Sequence, residues 1–452
     1  MARTNPHART APVAPASFLD GLRHFLTPAV WRQAHRALRP HCGHRWRARP
    51  LLLVLLALTW CAGDSLPERF ETARAFYAAC HPRRRRPGRT AEGLSKALAR
   101  VPAPALRAVA AAVRARLRRV FAGRLEVDGF VPLGCDGSRL ACPRSAELEG
   151  RLGQAGREHR APLLWVTALV HLPLGLPWAW RLGKGTASER DHLLRLLPAL
   201  PPGALLVADA GYVGYEVLAA LLAAGVALLI RVGPKAPLYV AERSALNRYR
   251  EGPVWYWPLW AQRAGRRPLA VRLLRVRGRR ADVWLLTAVP EARRPRATAG
   301  KFYRWRWENE GLFRTYKRTL GKVKLAGRTV RQVHREAEGS LLAVQLLLAQ
   351  GAAALPAGSA ARPVRPSARK VLLAIRAEIR DVAGAYLARR RGAYGERLRR
   401  ARWERRRRRG NQVRRPWPGR AEHRPPEGPQ VRKVGADLKG LLAQVLAEQE
   451  TG

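Results

Sequence analysis

The chain has 452 residues, 47% of them hydrophobic, which excludes a disordered polymer and allows roughly two to four folding units. Lys and Arg total 85 against 32 Asp and Glu, a formal charge of +53. That excess points to a polyanion partner, nucleic acid first; GC-rich coding accounts for abundant arginine but not for scarce acids.

Five cysteines, Cys42, Cys61, Cys80, Cys135 and Cys142, form an odd set with no C-x-x-C spacing. They argue for a reducing, cytoplasmic setting and against a disulfide framework. "HCGH" at 41–44 and "CH" at 80–81 lack the paired knuckles of a structural zinc site. The first forty residues show no signal-peptide pattern. The longest apolar run, "PLLLVLLALTWCAG" at 50–63, falls short of the ~20 residues that span a bilayer, and reads as a buried helix.

In chain order, residues 1–123 alternate apolar helical stretches with basic loops such as "HPRRRRPGRT" at 81–90, and are expected to form a helical DNA-binding or accessory domain. No helix-turn-helix signature names a reading helix, and Arg83 to Arg86 fit a solvated turn as well as a DNA contact. Residues 124–233 change to short apolar runs. "FVPLGCDGS", "APLLWVTALVHL" and "PWAWRLG" read as an antiparallel meander. "SERDHLLRLLPAL" at 188–200 starts a helix with Ser188 as N-cap. The strand "GALLVADAG", a helix near 213–224 and the strand "VALLIRVG" complete a mixed α/β sheet.

Residues 234–299 read as a β-rich insertion, aromatic and basic, interrupting that unit before its last helix. Its tryptophans are core residues or, interleaved with arginine, platforms for bases. Residues 300–355 return to helix. Within 356–452 come a proline-rich linker, a helix at 368–391, the basic tail "RLRRARWERRRRRGNQVRRPWPGR" at 397–420 and a last apolar helix at 436–449. The tail suits sequence-independent phosphate contact.

Two acids follow buried strands, Asp136 in "DGSR" and Asp209 in "DAGY". Each fits ordinary glycine-turn chemistry, and the pair also fits a site held by rigid strands. A third acid comes from "KFYRWRWENEGLFRTYKRTLGKVKL" at 301–325. On one straight helix with Tyr303 at zero, Arg306, Glu310 and Lys317 fall at about 300°, 340° and 320°. Phe302, Trp305, Leu312, Phe313, Tyr316 and Leu320 form the adjoining apolar stripe. Glu310 therefore borders the buried face, and Glu308, near 140° by the same construction, faces solvent. An ion pair of Glu310 with Arg306 or Arg314 is the alternative.

The spacing Tyr303, Arg306, Glu310, Lys317, together with Asp136 in a "DG(S/T)" context and Asp209 in a "D-x-G-(Y/F)" context, resembles the signature of DDE transposases of the insertion-sequence-four type. The resemblance covers roughly residues 127–350. It implies a ribonuclease-H-like α/β core, interrupted by the insertion, in which Asp136, Asp209 and Glu310 hold two Mg²⁺ or Mn²⁺ ions. Carboxylates are suitable ligands for such cations, and an ion pair suits phosphodiester chemistry. It further implies that Tyr303, Arg306 and Lys317 contact the phosphates of the transposon end, and that the enzyme acts as a homodimer on double-stranded DNA. On a straight helix Lys317 lies about 10 Å beyond Glu310, in reach of a neighbouring phosphate instead of the scissile one. Some relatives stack a flipped base on a tryptophan; Trp284, Trp255 and Trp257 are the candidates. A metal-dependent nuclease of the same fold, or a DNA-binding derivative without chemistry, are the competing readings.

Overall fold

The computed structural model describes residues 17–39, 45–153, 161–240, 251–278, 281–289, 296–356, 364–389, 428 and 431–450. Cys42, "HCGH" and the basic tail at 397–420 lie outside the described residues.

The chain begins with helices α1 Phe18–Phe25, α2 Pro28–Leu38, α3 Ala48–Trp60, α4 Leu66–Cys80, α5 Ala91–Arg100, α6 Ala105–Val120 and the short α7 Ala122–Leu125. The apolar run at 50–63 is α3, buried over nearly its whole surface as its unpatterned leucines require. Among the described residues no helix is long and apolar enough to cross a membrane.

A meander follows: β1 Val131–Ala141, helix α8 Ala146–Leu152, β2 Leu163–His171 and β3 Leu176–Lys184, with both strand pairs antiparallel. Helix α9 Glu189–Leu194, strand β4 Ala204–Ala208, helix α10 Tyr215–Ala223 and strand β5 Ala227–Arg231 come next. β4 pairs parallel with both β1 and β5. Its residues alternate between two hydrophobic clusters, Leu206 and Ala208 on one face of the sheet, Leu205 and Val207 on the other. Burial on both faces is why such a strand reads as an unbroken apolar run.

The sheet then grows through β6 Leu238–Val240, β7 Gly252–Tyr256, helix α11 Leu259–Arg263, β8 Leu269–Val276 and β9 Val283–Thr287. β9 joins β5 antiparallel, so these strands extend the same sheet. Helices α12 Arg296–Trp305 and α13 Glu308–Arg314 lead through a π-helical turn, Thr315–Thr319, to α14 Val330–Ala353 and α15 Ala368–Ala388. Strand β10 Val431–Lys433 pairs with β6, and α16 Lys439–Glu450 closes the described chain. The full order is β10-β6-β7-β8-β9-β5-β4-β1-β2-β3, a mixed ten-stranded sheet whose neighbours are mostly antiparallel.

Helix α14 starts on a capping box between Thr329 and Gln332 and is buried along most of its length. It packs against α3, α5, α6 and β3, so the first helices and the sheet share one hydrophobic cluster running from Phe18 to Leu442.

Candidate active site

The structure corrects the local setting of Asp136. This residue does not end a strand: β1 continues to Ala141, with Asp136 opposite Ala168 and Gly137 opposite Thr167 of β2. What ends nearby is the parallel pairing with β4, which reaches only Gly134. Gly137 is not a turn residue. A Cβ there would stand 2.2 Å from Glu189 Oε1 and 2.9 Å from the Trp165 ring, so glycine is what lets Glu189 approach. Asp209 follows β4 directly and caps a short 3₁₀ turn, its Oδ1 accepting from Gly211 N–H at 2.9 Å.

The straight helix assumed for 301–325 is also corrected. It breaks at Arg306 and Trp307, between α12 and α13, and passes into a π turn after Arg314. No proline or glycine marks the break. Helix α12 packs on β8 and β4, whereas α13 packs on β1 and β2, and in a twisted sheet one straight helix does not track both. The apolar stripe is retained, with Phe302, Leu312, Phe313, Tyr316 and Leu320 buried. The two acids exchange the exposures expected of them: Glu310 is exposed, and Glu308 is half-buried in an ion pair with Arg365. Between them Asn309 is fully buried against Gly134, neither amide atom having a hydrogen-bond partner.

Asp136 and Glu310 line one open cleft of about 320 Å³ together with Ser138, Arg314, Lys317 and Arg318. Lys317, which the helical construction already set on the face of Glu310, reaches this cleft from within the π turn. Its Nζ donates to Ser138 Oγ at 2.7 Å, so it stands beside the acids and not a straight-helix span away. Burial lowers the Lys317 pKa. Burial pushes the Asp136 carboxyl up to about 6; Asp209 and Glu310 add to the rise, while Gly137 N–H and Arg306 oppose it. Asp209 and Glu310 are thus each close enough to act on Asp136. Tyr303 neighbours Asp209, with Arg306 5.7 Å from its ring centroid; the guanidinium is near enough to the hydroxyl to oppose the rise that burial gives the phenol, but Tyr303 Oη and Arg306 Nε meet no partner in good hydrogen-bond geometry.

A fourth acid, Glu189, escaped the sequence reading, where it served only as a first-turn acid after the Ser188 cap. Burial, then Asp136 and Asp209, push its carboxyl up to about 7, against Arg139. Helix α9 is held on the meander by His192, whose Nδ1 lies 2.9 Å from Thr167 Oγ1, and Glu189 sits one turn earlier. Among the described residues, no three His, Cys, Asp or Glu side chains converge closely enough to form a ready metal group.

The tryptophan candidates divide by burial. Trp257 is fully buried with Nε1 donating to the Arg266 carbonyl, and Trp255 and Trp284 are half-buried in the sheet. Among the described residues, the exposed indoles are Trp260 and Trp307.

Residues 136–346 match the family model of the transposase DDE domain. The matched span opens on Asp136 and includes Asp209, Glu310 and Lys317, which supports a DDE transposase. A cryo-EM structure of the piggyBac transposase synaptic complex with hairpin DNA is similar over 85% of this chain and 84% of that chain, at 10% identity and a TM-score of 0.40. No curated protein matches the chain.

Proposed function

We propose that the chain is a DNA transposase of the insertion-sequence-four type, cutting and rejoining DNA at the inverted repeats of its element. The observation that carries this reading is the cleft shared by Asp136 and Glu310, within the span that matches the DDE domain, with Asp209 close enough to raise the Asp136 pKa. The order β5-β4-β1-β2-β3, with the meander antiparallel and β1, β4 and β5 parallel, supports a ribonuclease-H-like core.

The donors suit hard divalent cations: carboxylates half-buried at Asp136 and Asp209 and exposed at Glu310, with Asp136 repelled by the other two, gain from Mg²⁺ or Mn²⁺. Asp136, Asp209 and Glu310 would hold two ions, with Glu189 as a further oxygen donor beside Asp136. Bound there, the ions would activate water or a 3′-hydroxyl and stabilise the leaving oxygen. Lys317, Arg314 and Arg318 present positive charge to a phosphate entering the cleft, and Ser138 orients Lys317. Tyr303 and Arg306 offer unpaired donors beside Asp209 for the phosphates of the transposon end. Two such sites on a homodimer would bridge two ends.

The test is Mg²⁺-dependent strand cleavage of DNA carrying the element's own ends. Asp136→Ala and Glu310→Ala should each lower cleavage at least about 10²-fold while retaining DNA binding in EDTA. Cleavage that survives both substitutions would sink the assignment.

A further inference from the structure

A second concave feature lies at the outer edge of β3, the last strand of the sheet. It is a cleft of about 260 Å³ lined by Arg107 and Arg114 of α6, by Trp180 and Arg181 of β3, and by Arg195 just beyond α9. Four guanidinium groups from three separate elements converge there.

Three of these arginines are held in place. Arg114 donates to the Trp178 carbonyl at 3.1 Å, and Arg181 to the Arg195 carbonyl at 3.2 Å. Arg107 pairs with Glu338, a fully buried carboxylate that it shares with Arg335. One shared carboxylate does not balance the lining, and Arg107 and Arg195 act on Arg181 as like charges. A further donor is present: Trp180 is 2% exposed, and its indole Nε1–H is buried with no acceptor. An unsatisfied buried donor costs about 1–3 kcal/mol, which an anionic oxygen would relieve. Fixed guanidinium forks with one indole N–H suit a tetrahedral oxyanion, since arginine matches phosphate oxygens two at a time.

The cleft is also within reach of the carboxylate site. Trp180 pairs with Ala168, and Ala168 with Asp136, so two strand spacings, about 10 Å, separate them. Helix α9 begins with Glu189 beside Asp136 and leads to Arg195, six residues or about 9 Å along its axis. That span corresponds to about three base steps of one DNA strand.

We infer that this cleft binds a backbone phosphate of the same DNA whose neighbouring phosphodiester lies at the carboxylates, an inference that rests on the DNA-processing reading above. Sequence-wide basicity and protection of an open sheet edge by charge are the rival explanations.

The full-length chain is titrated with a fluorescent duplex in EDTA, where no cleavage occurs, over a series of KCl concentrations. Arg181→Gln combined with Arg195→Gln should weaken binding about tenfold and flatten the salt dependence by about one to two counterions. Arg369→Gln combined with Arg380→Gln removes two exposed arginines of α15 and should change neither quantity. Trp180→Phe should weaken binding with its melting temperature kept. An unchanged salt slope in the folded cleft variant overturns the inference, as does an equal loss in the α15 variant. A thermal shift with inorganic phosphate that the cleft variant loses, alongside an unaltered DNA slope, overturns the assignment to DNA. Because the readout is binding without metal, a failed cleavage assay would remove the transposase reading and leave this result standing.

Discussion

Glu189 Oε1 occupies the position that a Cβ on residue 137 would need, 2.2 Å from where that carbon would lie. The side chain that the missing Cβ admits is the one that crowds Asp136. Gly137→Ala should therefore displace Glu189 from the acids, the flexible carboxylate retreating while the Trp165 ring, 2.9 Å from the new carbon, shifts slightly; an unchanged melting temperature checks that the variant folds. We expect Mn²⁺ affinity, measured by calorimetry, to fall about tenfold, in line with loss of a supporting group around a metal. Unchanged Mn²⁺ binding would mean that Glu189 contributes nothing there.

Asp136 and Glu189 titrate in the folded chain near 6 and 7, above their ordinary 3.8 and 4.5. Both shifts are upward, so the folded state holds more protons than the unfolded state across that window. Their contribution to stability is complete below the ordinary values and is lost as pH rises through the folded ones. The melting temperature of the metal-free protein should fall between about pH 4 and pH 7, and Asp136→Asn should flatten that fall. Mn²⁺ affinity should rise over the same interval, because the ligands must lose their protons first.

Arg365 fastens the start of α13 from outside the matched domain. It pairs with Glu308 and donates to the carbonyls of Pro173 at 2.9 Å and Leu172 at 2.8 Å. Arg365→Ala leaves Glu308 half-buried without its cation, and should cost about 2 kcal/mol by urea unfolding. Because Glu310 is two residues further on, cleavage should drop more than DNA binding does. Equal losses in both would point to general unfolding.

Asn309 is the opposite case, a buried amide with neither atom paired. Asn309→Leu keeps the branched four-atom outline, though with bulkier methyl groups, and removes that unmet demand, so the melting temperature should rise by about 2 °C. A rise in stability coupled to lost cleavage would show that the amide serves the reaction. A fall in stability would mean that the amide is satisfied in solution.

Much of this site was legible because its signals are local. The meander at β1 to β3 and the strands β4 and β5 carry short apolar runs bounded by turn residues, and Asp209 lies in the turn that its "DAG" suggests. Asp136 was placed wrongly because glycine has two uses: Gly137 serves a close approach by a residue 52 positions later, which one stretch of sequence does not announce. The break at Arg306 and Trp307 was hidden for a related reason. Its cause is the change from the β8 and β4 surface to that of β1 and β2, not any residue that dislikes a helix. Glu189 was masked by its ordinary place after a capping serine.

The burial of α14 also bears on how this chain can be cut and rearranged. Its flanks are covered by α3, α5 and α6 on one side and by β3 on another. The leading helices thus share one hydrophobic cluster with α14 and the sheet. A clone starting near residue 124 would present a bare leucine-rich helix to water, and should precipitate where the full chain stays dissolved.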